Sequence, residues 1–79
     1  MKYVIIGDKE GYEYPIIFPD LWGHQEVVAK LIQPGQTVIA AGFVKTGADG
    51  RIDCSGGSAG LRILSRKGTD SAIVSAWMS

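Results

Sequence analysis

Cys54 is the only cysteine and His24 the only histidine in a chain of 79 residues, and no other feature of the sequence restricts the fold as much. A disulfide within the chain needs two cysteines, and a structural zinc site needs several Cys or His ligands. Domains this short draw only about 3–5 kcal/mol from a single core and are commonly stapled by such links. With neither link available, the chain must stand on apolar packing, alone or helped by self-association. Apolar residues make up 46% of the sequence, which suits one domain over residues 1–79 and leaves no room for a second.

The apolar residues fall into short runs punctuated by turn chemistry. Lys2-Tyr3-Val4-Ile5-Ile6 is β-branched and aromatic on both parities, the pattern of a strand covered on both faces. Gly7 to Gly11 breaks it, and Tyr12 to Phe18 is again strand-like, so a hairpin is expected, with Pro15 placing the second strand at the sheet margin. His24 to Ile32 reads as a helix with Val27, Val28, Leu31 and Ile32 on one stripe; Glu26 and Lys30 stand one turn apart, and Pro34-Gly35 ends it. Thr37 to Val44 is the longest apolar run and the expected central strand, where Gly42 marks a bulge or a close approach. Asp49-Gly50 then signals a hairpin into Arg51 to Ser55. Leu61 to Leu64 reads as a last short strand. A second helix is expected from an N-cap at Thr69 or Asp70, with Ala72, Ile73, Ala76 and Trp77 at helical spacing. The predicted class is α+β: an antiparallel sheet of four to five strands, order β-β-α-β-β-(β)-α, with both helices packed on one face.

Chemistry-bearing motifs are scarce. Gly56-Gly57-Ser58-Ala59-Gly60 matches the G-x-S-x-G pattern of a nucleophile elbow, which needs a helix directly after the serine and a histidine later in the chain. Residues 61–68 have no helical period, and His24 lies upstream of Ser58. A bulged turn between strands accounts for the glycines better. The same stretch lacks the Lys and Ser/Thr of a phosphate-binding loop. His24 is read as a first-turn polar residue and Cys54 as a buried, inert thiol. No catalytic, cofactor-binding or metal-ligating residues are therefore expected, and the chain is read as a binding protein and not an enzyme.

Eight basic residues balance eight acidic ones, which argues against a polyanionic partner such as nucleic acid. Basic side chains outnumber acidic ones five to three in residues 34–79, so Arg51, Arg62, Arg66 and Lys67 are candidates for one basic face serving a small nucleic-acid-binding or regulatory module. Tyr12 and Tyr14 on the expected edge strand and Trp22 in a loop are candidates for a protein contact, since such aromatics anchor partners. The edge strand could also extend the sheet across a homodimer. No run approaches the length of a membrane span. The lone thiol, and acidic residues at Asp8 and Glu10 before any leader-length apolar segment, point to the cytoplasm.

Lys2-Tyr3-Val4-Ile5-Ile6, Tyr14-Pro15-Ile16-Ile17-Phe18-Pro19, Ala40-Ala41-Gly42-Phe43-Val44 and Ser65-Arg66 ahead of Asp70-Ser71-Ala72-Ile73 together resemble a family of short bacteriophage and prophage proteins. The resemblance implies an accessory protein that binds and inhibits a host protein complex in the host cytoplasm, as anti-CRISPR proteins do when they dock on an effector complex. It assigns no catalytic residue.

Overall fold

The elements follow in the order β1 (Lys2–Gly7), β2 (Glu13–Phe18), α1 (His24–Leu31), β3 (Thr37–Thr46), β4 (Ile52–Ser55), β5 (Gly57–Ser58), β6 (Ile63–Leu64) and α2 (Gly68–Met78) in the structure, a computed structural model that describes residues 1–79. Four strands form one antiparallel sheet in the order β2-β1-β3-β4, and β5 pairs with β6 in a separate two-stranded ladder. The α+β class and the order of elements are those expected, with β2 at the margin and β3 inside the sheet.

Strand β1 organises the core. Its side chains alternate between faces, and from Tyr3 to Ile6 both sets are buried in apolar surroundings. Tyr3 and Ile5 pack with Ala40, Val44, Cys54 and, from α2, Val74. Val4 and Ile6 pack with Phe18, Ala41 and, from α1, Val27. The two helices thus lie on opposite faces of the sheet, which corrects the expected placement of both on one face. A strand whose two faces are both apolar needs a layer on each side. Leu61 and Ile63 add the β5–β6 segment to the α1 side.

Gly42 sits opposite Tyr3. A Cβ there would meet the Ser55 carbonyl, Tyr3 Cε1 at 3.1 Å and Ser65 Cβ at 3.2 Å, so the glycine marks a close approach. The bulge falls elsewhere: the register against β1 shifts between Ile5 and Ile6, which pair with Ala40 and Val38 and leave Ile39 unmatched. In GGSAG, Gly56 has a φ of 80°, which admits few residues other than glycine. Gly57 and Ser58 then pair with Leu64 and Ile63, and the Leu61 N–H donates to Ser58 Oγ at 3.2 Å. The motif is a turn followed by a short strand.

Helix α2 differs from its expected form at both start and face. It begins at Gly68, ahead of the expected caps, and Asp70 lies in its first turn. Asp70 and Val74 are its buried residues, Ile73 is half-buried, and Ala72, Ala76 and Trp77 are exposed. Nearly every position of this helix is apolar or small, so spacing alone does not select a face. The polar bonds of Asp70 do.

Candidate interaction surface

Asp70 is fully buried at the centre of a closed polar network. Its Oδ2 accepts the Tyr3 hydroxyl at 2.6 Å and the Arg66 N–H at 2.8 Å, and its Oδ1 accepts Arg66 Nε at 2.8 Å. Ser65 Oγ lies 2.6 Å from the Tyr3 phenol, and Arg66 Nη2 reaches across to Glu13 Oε1 at 2.7 Å. Burial first, and the bond to Asp70 second, push the Tyr3 phenol well above its ordinary pKa. The bond to Glu13 is the main influence raising Arg66. Arg66, a candidate for the basic face, is therefore occupied inside the fold as a structural ion pair.

The remaining basic candidates divide in the same way. Arg51 Nε lies 3.7 Å from Asp53 Oδ2, both on exposed side chains. Arg62 and Lys67 are exposed and make no ion pair. Both have a positive φ, 57° and 47°. Two free cations remain of the four.

His24 and Ser58 do line one open cleft of about 320 Å³, together with Lys2, Phe43 and Gly60. His24 is buried, its ring edge-on to Phe18 and Phe43. Its Nε2 lies 2.9 Å from the Gly42 carbonyl, a partner that accepts only, so Nε2 carries the proton. Ser58 Oγ is bonded to the Leu61 N–H. No hydrogen bond joins imidazole to serine, and no carboxylate orients the ring. Glu26, on the same cleft, accepts the Gly23 N–H at 3.1 Å. The geometry of a nucleophile, base and acid relay is not assembled here. Cys54 is buried, and its thiol is pushed up chiefly by desolvation, the opposite of an activated nucleophile.

A different surface stands out on α1. A groove of about 290 Å³ is lined by Trp22, Glu26, Val27, Lys30 and Leu31. Trp22 is 48% exposed, Leu31 50% and the adjoining Leu21 89%. The helix is eight residues long and seats itself through His24 and Val27, so the far end of its apolar stripe is left in solvent. The sequence places Leu31 on the buried stripe; the structure puts it on the groove. Glu26 and Lys30 form the polar rim, and neither takes part in an ion pair.

The other aromatic candidates sit apart from this groove. Tyr12 is 71% exposed ahead of β2. Tyr14 is half-buried, stacked on Trp77 with centroids 6.2 Å apart, and its hydroxyl accepts Gln36 Nε2 at 2.9 Å. Trp77, which the sequence assigns to the buried stripe of α2, is 63% exposed. No helix is long and apolar enough to cross a membrane. No family model, curated protein or solved structure matches the chain.

Proposed function

We propose that this chain works by protein–protein contact, carries out no reaction, and docks through the α1 groove. The observation that carries this reading is the exposure of Trp22 and Leu31 on one concavity, with exposed Leu21 next to Trp22 in the chain, while Asp70, Arg66, Glu13 and His24 are spent on internal bonds. Contiguous exposed apolar side chains mark interaction sites, and tryptophan is over-represented among the residues that dominate binding energy. The inhibition of a host protein complex, of the anti-CRISPR kind, that the phage resemblance implies is one form of the same reading. A chain of 8.4 kDa without an active site acts by covering surface, and about 800 Å² per partner is the usual requirement. The nucleic-acid reading is the weaker one, because of its four basic candidates only Arg62 and Lys67 make no ion pair.

The test is capture from bacterial lysate with tagged wild-type protein, Trp22→Ala, and the double variant Arg62→Glu/Lys67→Glu. Trp22→Ala is expected to weaken capture of a protein partner about thirtyfold, the effect of a 2 kcal/mol anchor, and the double variant to leave it unchanged. Recovery of nucleic acid in place of protein, lost in the double variant and steeply salt-dependent, would overturn the reading.

A further inference from the structure

We propose that the occupant of the α1 groove is the same groove on a second copy of the chain, packed antiparallel about a twofold axis. This rests on the groove being the docking surface and names its partner. Its rim carries one acid and one base a single helical turn apart, Glu26 and Lys30. In isolation the two are left without ion-pair partners. A twofold contact is reciprocal: where one residue of the first copy meets a second residue of its mate, the converse pair forms as well. With the helices antiparallel, Glu26 of each copy faces Lys30 of its mate, so all four charges are matched.

The apolar strip is self-complementary in the same sense. Trp22 precedes the helix and Leu31 ends it, so antiparallel overlap brings the Trp22 end of one copy towards the Leu31 end of the other, over Val27. A uniformly acidic or basic peptide would leave one rim charge unmatched.

The experiment is analytical ultracentrifugation of the purified full chain and its charge variants. At roughly 0.1 mM, within reach of a micromolar contact, the wild type is expected to sediment at twice the 8.4 kDa chain mass. Glu26→Lys and Lys30→Glu each place two like charges against two, and each should self-associate at least about tenfold more weakly. An equimolar mixture of the two should dimerise again, because an all-basic rim then meets an all-acidic one. That rescue separates a lost interface from a misfolded variant. Leu31→Lys, which puts a cation where the helix dipole favours it, should stay folded and monomeric.

A wild type that stays monomeric up to about 1 mM overturns the proposal. So do charge variants that dimerise as well as wild type, or a mixture that fails to associate. A monomeric wild type whose capture of another protein is still abolished by Trp22→Ala would sink the second-copy partner and leave the docking surface standing. Trp22→Ala without effect in either assay would remove the docking surface itself.

Discussion

At the residue scale, the most demanding group in the molecule is the Asp70 carboxylate. Desolvating an ionised carboxylate costs several kcal/mol unless bonds replace its water. Tyr3, the Arg66 N–H and Arg66 Nε supply them. Tyr3→Phe keeps the ring in the core and deletes one of these donors, at an expected cost of about 1–2 kcal/mol in urea unfolding. The phenol also sets a pH dependence. Burial and the neighbouring carboxylate raise its pKa in the folded state. Below pH 10 or so, where a free tyrosine keeps its proton, both states are protonated and the contribution to stability is full. Above that pH the unfolded chain releases the proton while the folded chain holds it, so stability falls as pH rises. Unfolding followed from pH 7 to 11 should show this decline in the wild type, with the part that begins near pH 10 missing from Tyr3→Phe. A shallower slope beginning near pH 8.5, from the raised Cys54 thiol, should persist in both. An identical alkaline slope in the variant would show that the phenol is not held as described.

At the scale of elements, the sheet is pinned where β3 passes β1 and the segment after β4. Gly42→Ala would drive a methyl group against the Ser55 carbonyl and the side chains of Tyr3 and Ser65. Backbone cannot yield as a side-chain tip can, so a loss of about 1–3 kcal/mol is expected in urea titration; an unchanged midpoint would refute the close approach. Gly42 was also one of the legible positions, since a glycine inside an apolar run weakens the strand unless a bulge or a close neighbour requires it. Strand β1 was legible too: apolar residues on both parities already require two covered faces. The placement of both helices on one face ignored that requirement. Helix α1 was readable as an element, because its polar and apolar positions segregate. The exposure of Leu31 was not, since a stripe shows which residues share a side but not how far the neighbouring sheet extends beneath them. Helix α2 was readable as a helix but not in its orientation. Its residues are nearly uniform in polarity, and the choice of face rests on Asp70 meeting Tyr3, 67 positions away in the chain. The basic candidates failed for a related reason. A charge count does not distinguish Arg66, bound to Glu13 and Asp70, from Arg62, which is free.

At the scale of the whole molecule, one sheet is asked to support two cores, and only 17 of 79 residues are buried. Each layer is thin: six buried apolar residues on the α2 side and five on the α1 side. A domain of this size with no disulfide sits near the lower limit of independent stability. Closure of the α1 groove by a second copy would extend the thinner layer and couple folding to association. Stability then depends on concentration by mass action, because dilution favours the dissociated, unfolded chain. A tenfold rise in protein concentration favours the dimer by about 1.4 kcal/mol, or about 0.7 kcal/mol per chain. That corresponds to an increase in Tm of about 3–5 °C for a domain of this length. Calorimetry at several concentrations should show that increase for the wild type and none for Leu31→Lys, which unfolds as a monomer. A wild-type Tm that does not move with concentration would mean that the two thin layers suffice alone and that the groove stays open in the native state.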